Sequence, residues 1–222
     1  MDRLIKGYRK FRQTYFAGNQ ETFVQLAHGQ APNAMVISCS DSRVDPGLVF
    51  DTGPGELFTL RNIANLVPPY STIGIDRCSS TSAAIACAVN HLSVEHIVVL
   101  GHSNCGGVKV LLGRQDRDYM WPWMQNAELA RKRALAAVGD GSAQVLQRAC
   151  EHEVVKLSLS NLAGYPCVEE RLRAGLIELH GAWFDIERAE LHVLDQASGQ
   201  FEKTGSHEFG LPRHIDLAGN WA

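Results

Sequence analysis

Two short polar segments carry the side chains of this chain that could do chemistry. They are Cys39-Ser40-Asp41-Ser42-Arg43 and Gly101-His102-Ser103-Asn104-Cys105-Gly106-Gly107. Together they offer two thiolates, one imidazole and one carboxylate, and thiolate and imidazole are favoured ligands of zinc. Because a catalytic zinc ion usually keeps three protein ligands and a water molecule, we predict one Zn²⁺ per chain on Cys39, His102 and Cys105. The fourth position is open to water or, conditionally, to Asp41.

Asp41 and Arg43 are predicted to act beside that metal. Two thiolates cancel the charge of Zn²⁺, so its bound water should be less acidic than water held by three neutral histidines. A carboxylate that accepts a hydrogen bond from this water would assist it, provided that the carboxylate stays ionised. Arg43 can pair bidentately with Asp41 and keep it charged. As a mere surface ion pair, the two residues would contribute little.

The elements that must position both segments alternate between strands and helices. Each segment follows a short apolar run typical of a buried strand. The predicted strands are 34–39, 56–60, 95–100, 176–186 and 190–194, and the predicted helices are 80–92, 106–112, 121–138 and 143–162, with two short helices over 4–28. Gly106 and Gly107 stand where a helix begins, and backbone N–H groups there favour thiolates and anionic ligands.

This alternation predicts an α/β fold. We expect a mostly parallel central β-sheet with an antiparallel edge strand, flanking helices and an N-terminal helical arm. Ligands of such sheets lie beyond the carboxyl ends of the strands, where both polar segments begin. The arm is expected at residues 1–30, and the α/β zinc-binding catalytic domain at residues 31–222, as a single domain overall.

The composition limits the partners and the compartment. A net charge of -3 over 222 residues gives no sign of a nucleic-acid partner or of an anionic membrane. No apolar run approaches the ~18 residues that span a bilayer, and residues 1–10 lack the apolar core of a secretory signal, so we expect a cytoplasmic protein. Disulfides are not expected there. Four cysteines are expected to be small buried hydrophobes: Cys78, Cys87, Cys150 and Cys167.

The two polar segments resemble the two signatures of the β-class carbonic anhydrases. Three further stretches match the family as well: 54–58, 61–65 and Leu179-His180-Gly181. The resemblance extends roughly from Gly29 to Asp195. It implies a homodimer or tetramer in which the helical arm wraps a partner, with zinc on the three predicted ligands and an Asp–Arg dyad on Asp41 and Arg43.

The resemblance also implies how a small substrate is held. Gln30 falls where one branch of the family binds a substrate oxygen, and Phe58 and Ile63 fall at pocket-lining positions. With the backbone of Gly106, they form the predicted substrate-binding set. A pocket tyrosine common in the family falls on Cys87, which puts the shape and polarity of the pocket in question.

One branch of the family is inhibited by bicarbonate at a second site built from Trp, Arg and Tyr. The equivalent positions here are Val36, Arg61 and Phe184, so only the arginine remains. We therefore predict that this regulation is absent and that Asp41 is off the metal at neutral pH.

The expected reaction is the reversible hydration of carbon dioxide to bicarbonate and a proton, by attack of zinc-bound hydroxide. Three alternatives remain open. A hydrolase of the same architecture could act on carbon disulfide or carbonyl sulfide. A non-catalytic protein could hold a structural zinc ion with Asp41 as its fourth ligand. A redox protein could use Cys39 and Cys105, although they lack the Cys-x-x-Cys spacing of that chemistry.

Overall fold

The structure is a computed structural model that describes residues 1–70, 79–113 and 119–204. The chain divides into two compact units, Met1–Ala31 and Pro32–Ala222. Within the described residues, no helix is both long and apolar enough to cross a membrane. The arm-and-domain division at residue 30 stays a prediction, and Cys78 lies outside the described residues.

The first unit contains two helices joined by a π-helical turn. They are α1 (Asp2–Phe11) and α2 (Gln20–Leu26), and the turn is Arg12–Phe16. Aromatic rings hold them together, because the Phe23 ring centroid lies 5.8 Å from that of Phe11 and 5.1 Å from that of Phe16. Most of the apolar surface of α1 is exposed all the same, including Leu4 and Tyr8.

The second unit is built on a sheet in which the described residues form six strands, in the order β2-β1-β3-β4-β5-β6. The strands are β1 (Ala34–Cys39), β2 (Leu57–Asn62), β3 (His96–His102), β4 (Glu178–Asp185), β5 (Glu190–Leu194) and β6 (Phe201–Lys203). β1 pairs in parallel with β2 and β3, and β3 pairs in parallel with β4, whereas β5 and β6 are antiparallel. The predicted α/β class is confirmed.

Two details of the predicted sheet are corrected. The antiparallel edge strand is β6, and the predicted edge strand β5 lies one position further in. β6 has only three residues, too few to show a period of two in the sequence. The strand predicted at 95–100 continues to His102, so that the ligand histidine is itself the last strand residue.

Helices flank the sheet. They are α3 (Pro46–Val49), α4 (Ser80–Ala86), α5 (Gly106–Gly113), α6 (Met120–Met124), α7 (Glu128–Val138), α8 (Ala143–Ala163) and α9 (Pro166–Arg173). The helix predicted over 121–138 is interrupted by a 3₁₀ turn at Gln125–Ala127. There the Asn126 side chain donates to the carbonyl of Trp123 at 2.8 Å, a local bond that competes with regular helix. The helix predicted over 80–92 becomes π-helical at Cys87.

The sheet buries apolar side chains on both faces. Met35 and Ile37 of β1 belong to the larger core cluster, and Val36, between them, belongs to a smaller cluster on the opposite face. Helix α8 lies close to the middle of the sheet because β3 has a glycine there. A Cβ on Gly101 would stand 2.7 Å from Cγ2 of Val155. A further core cluster at one end of the sheet contains both Cys39 and Cys105.

Candidate metal centre

The three predicted zinc ligands meet where β1 and β3 end. Cys39 is the last residue of β1, His102 is the last residue of β3, and Cys105 directly precedes α5. Since β1 and β3 are neighbouring parallel strands, their carboxyl ends lie side by side. The ligand atoms of the three residues lie within 4.8 Å of one another, and all three residues are buried.

The geometry of this cluster fits a zinc ion. The two Sγ atoms are 4.0 Å apart, and two thiolates on a tetrahedral zinc with Zn–S bonds of about 2.3 Å stand about 3.8 Å apart. Nδ1 of His102 lies 2.9 Å from the carbonyl oxygen of Ser103, to which it donates. The lone pair of its Nε2 then points into the cluster, where Nε2 is buried and has no hydrogen-bond partner. A buried nitrogen of this kind calls for a ligand.

Hydrogen bonds from its surroundings stabilise the thiolate form of Cys39. The thiol of Cys105 and the backbone N–H of Ala64 donate to its sulfur, and these hydrogen bonds lower the pKa of Cys39. The Ala64 nitrogen is 3.4 Å from Sγ. Ala64 reaches this position in a left-handed conformation, with φ 62°, inside a 3₁₀ turn. The same shared hydrogen bond raises the pKa of Cys105.

Two residues of helix α8 that were not predicted as site residues, Gln147 and Glu151, hold the backbone of Cys105 in place. Its backbone N–H donates to Oε1 of Glu151 at 3.0 Å, and Gln147 donates to its carbonyl at 3.1 Å. Gln147 and Trp183 also donate to the Glu151 carboxylate, which is buried, and burial raises the pKa of Glu151. The sequence did contain a signal, because Glu151 shares the buried face of α8 with Val154, Val155 and Ser158.

Asp41 and Arg43 form the predicted bidentate pair. Nε and Nη2 of Arg43 donate to the two carboxylate oxygens of Asp41 at 2.9 and 2.7 Å. This pairing holds the pKa of Asp41 far below its usual range. Arg43 also donates to the carbonyl of Asn104 at 3.1 Å, which links the two polar segments. Oδ2 of Asp41 lies 3.8 Å from Nε2 of His102.

Arg61 shapes the segment that carries this pair. Its guanidinium donates to the carbonyls of Cys39, Asp41 and Val44 at 3.1, 2.7 and 2.8 Å. It also forms an ion pair with Asp45 at 3.0 Å. From the sequence, Arg61 was noted only as the one residue of a second bicarbonate site that this chain keeps. In the structure, its side chain instead binds the backbone of the loop that follows Cys39.

The predicted substrate-binding residues are spread more widely. Ile63 packs against the core cluster that holds both cysteine ligands, and Gly106 opens α5 with its backbone exposed. Phe58 pairs with Met35 near the start of β1, which is about 13 Å of strand away from Cys39. Gln30 lies in the first unit. The substrate roles of all four residues stay predictions.

Comparisons with known proteins agree with this site. A family model described as "Carbonic anhydrase" matches residues 34–191. A carbonic anhydrase of Synechococcus elongatus is 35% identical over 212 residues, covering 94% of this chain and 76% of that protein. The structure of the β-carbonic anhydrase CcaA is similar with a TM-score of 0.86 at 35% identity, covering 91% of each chain.

A tetrameric β-carbonic anhydrase of Sordaria macrospora is also similar. Its TM-score is 0.73 at 29% identity, covering 92% of this chain and 96% of that one. The chain belongs to the β class of the carbonic anhydrases. The family model matches it, its sheet is mostly parallel, and a Cys–His–Cys cluster lies at the carboxyl ends of β1 and β3.

Proposed function

We infer that this chain catalyses the zinc-dependent reversible hydration of carbon dioxide to bicarbonate and a proton. The observation that carries this proposal is the buried cluster of Cys39, His102 and Cys105 with an ionised Asp41 beside it. The names of its relatives support the same reaction.

Each residue of the site would have a separate role in this reaction. Cys39, His102 and Cys105 would hold the zinc ion, which when bound would supply a Lewis acid able to acidify a water molecule. Asp41 would accept a hydrogen bond from the attacking water and orient its lone pair toward carbon dioxide. Arg43 would keep Asp41 charged and aligned, since it binds both carboxylate oxygens.

The pairing with Arg43 also favours an open metal position. Both oxygens of Asp41 are engaged by Arg43, so a move of Asp41 onto the metal would break at least one charge-assisted hydrogen bond. This supports the prediction that Asp41 is off the metal at neutral pH. A site with three protein ligands and a free position is the catalytic type.

We further propose a homodimer or tetramer, with Gln30, Phe58, Ile63 and Gly106 contacting substrate. The exposed apolar side chains of α1, such as Leu4 and Tyr8, support a role for the first unit in association. The tetrameric relative supports it as well. A cytoplasmic location stays a prediction.

The test is stopped-flow hydration of carbon dioxide at mildly alkaline pH, with zinc quantified on the same sample. We expect one zinc per chain and fast hydration. Asp41→Asn should keep the zinc and lose roughly 100-fold or more in kcat/KM, the size of a general-base contribution. Glu169→Gln, which breaks a surface ion pair with Arg173, is the matched control and should hydrate at the wild-type rate.

Other outcomes would point to the alternatives. Zinc without hydration, but with hydrolysis of carbon disulfide or carbonyl sulfide, would identify a sulfur-substrate hydrolase. Zinc without either activity, and a cobalt-substituted spectrum unmoved by anions, would indicate a closed structural site. An unchanged rate in Asp41→Asn would remove Asp41 from the mechanism.

A further inference from the structure

A second group of potential metal ligands lies at the opposite end of the sheet. His96 is the first residue of β3, Glu178 is the first residue of β4, and His180 follows two positions later. His96 pairs with Glu178 across the parallel strands. Since side chains two apart on a strand share a face, the three side chains stand on one face of the sheet. His102 lies six positions further along β3 than His96, a distance of roughly 20 Å.

The distances in this group are those of ligands around one cation. Nδ1 of His96 and Nε2 of His180 share a hydrogen bond of 3.2 Å. Two imidazole nitrogens on a tetrahedral zinc stand about 3.3 Å apart, so a metal ion could replace the proton of this bond with little movement of the rings. Oε2 of Glu178 lies 3.9 Å from the first nitrogen and 3.7 Å from the second. All three ligand atoms lie within 4.8 Å of one another, and the Glu178 side chain is 70% exposed and not held by packing.

The surroundings of the two histidines shield them from solvent. Their side chains are mostly covered, with exposed fractions of 17% for His96 and 22% for His180. Burial, together with His96, lowers the pKa of His180. Glu178 and His180 also line an open cavity of about 600 Å³.

We propose that His96, Glu178 and His180 form a second metal site for a borderline divalent cation such as Zn²⁺, Ni²⁺ or Cu²⁺. Two imidazoles and one carboxylate suit such ions better than Mg²⁺ or Ca²⁺, which prefer oxygen ligands. The bound ion joins the amino ends of β3 and β4 and keeps a position for water. This site is independent of the Cys39, His102 and Cys105 cluster and of the reaction assigned to it.

The test is titration calorimetry of Zn²⁺ into protein that already carries one zinc per chain. We expect one further equivalent per chain. His96→Gln and His180→Gln should abolish it, and Glu178→Gln should weaken it by roughly tenfold or more, since even outer-shell partners of a metal contribute that much. Glu178 is exposed at the start of its strand, so this variant folds even if a histidine variant does not.

The control is Glu190→Gln. Glu190 lies 3.7 Å from His192 but has one imidazole beside it rather than two, so its removal should leave the further equivalent intact. The proposal is overturned if the wild-type protein takes up no further zinc, or if uptake survives in both histidine variants. It is also overturned if Glu190→Gln loses as much binding as Glu178→Gln, because the ion would then bind adventitiously to surface carboxylates.

Discussion

His102 and His152 of the second unit both have a buried Nε2 without a hydrogen-bond partner, but the two rings have different surroundings. His102 donates from Nδ1 to a carbonyl, and its Nε2 faces two thiols. His152 packs against Trp183 and Phe201, with ring centroids 5.0 and 4.3 Å away, and its Nε2 is buried with no hydrogen-bond partner. Burial lowers the pKa of His152 to about 3, so it stays neutral in the folded chain. Because this imidazole is protonated less readily in the folded chain than in the unfolded chain, the free energy of unfolding depends on pH.

We predict that His152 makes the protein less stable in mild acid. An unfolded chain takes up this proton below the ordinary pKa of 6.5, and the folded chain does so only near 3. As the pH falls from 6.5 toward 3, the contribution of His152 alone should therefore lower the free energy of unfolding by about 1.4 kcal/mol per pH unit. Urea unfolding of wild type and His152→Gln at several pH values measures the difference.

The matched control for that experiment is His28→Gln, which changes an exposed histidine of the first unit. Its stability should follow the wild-type pH dependence. A slope in His152→Gln as steep as in the wild type would show that His152 is not the group that takes up the proton.

The sequence could predict the metal cluster because its residues obey simple rules of placement. Cys39 and His102 end apolar runs, and the ends of parallel strands meet. Glu151 and Arg61 could not be assigned in the same way. Their partners are backbone groups of Cys105 and of the loop after β1, and such pairings depend on how elements distant in sequence pack.

At the scale of elements, the site depends on a close approach between α5 and the 3₁₀ turn Ile63–Asn65. A Cβ on Gly107 would lie 2.8 Å from Cγ2 of Ile63 and 3.1 Å from Cβ of Ala64. The same turn aims the Ala64 N–H at the sulfur of Cys39. The missing side chain of Gly107 therefore sets the distance between the helix that follows one ligand and the turn that supports another.

Gly107→Ala should accordingly cost about 1–3 kcal/mol of stability through overpacking. It should also weaken zinc retention against a chelator, because Ala64 must move. Gly106→Ala is the matched control for stability, since a Cβ there meets no atom within 4 Å. Thermal unfolding of both variants checks the prediction, and equal melting temperatures would contradict it.

The two faces of the strands also bear on regulation by bicarbonate. Val36 and Phe184 lie in the apolar cluster on one face of the sheet, and Arg61 is committed to three backbone carbonyls and to Asp45. No polar partner for an anion is offered by Val36 or Phe184. These contacts support the prediction that the second bicarbonate site is absent.

We predict that bicarbonate inhibits this enzyme without cooperativity, as a product competing at one site. Hydration rates measured over a range of bicarbonate concentrations should give a Hill coefficient of about 1, since no second class of site couples to the first. Sigmoidal inhibition would mean that Arg61 can leave its carbonyls and bind the anion.

At the scale of the whole molecule, the proposed metal ion would join parts of the fold that are separate in sequence. The cluster connects the end of β1 with the end of β3 and the start of α5. Because the unfolded chain does not present these ligands together, binding stabilises only the folded state.

Removal of zinc should therefore lower the melting temperature. The expected loss is roughly 10 °C, because a ligand at a thousandfold excess over its Kd contributes about 4 kcal/mol and a chain of this size shifts by about 2–4 °C per kcal/mol. Calorimetry with and without a chelator measures it. Cys39→Ser should melt like the chelated protein, whereas Cys167→Ser, a thiol of the other core cluster, should keep the response to chelator.

The fold class followed from the alternation of elements, but the ends of elements did not. Helix 121–138 was predicted as continuous, and the side-chain bond from Asn126 to the carbonyl of Trp123 accompanies its break. β6 was missed because three residues carry no pattern, and it is identified only by its pairing with β5.

The two cysteine ligands are 66 positions apart in the sequence, and this separation bears on when a metal ion can be fully coordinated. Closing a loop of that length in an unstructured chain costs roughly 4 kcal/mol in entropy, so a metal ion bound to a single thiol gains little by capturing the second. During synthesis, the third ligand emerges only after β1 and β2 have left the ribosome, and β4 follows more than 70 residues later. Coordination by all three side chains would then require β1 and β3 to be paired first, so a metal ion would enter a sheet that has already formed.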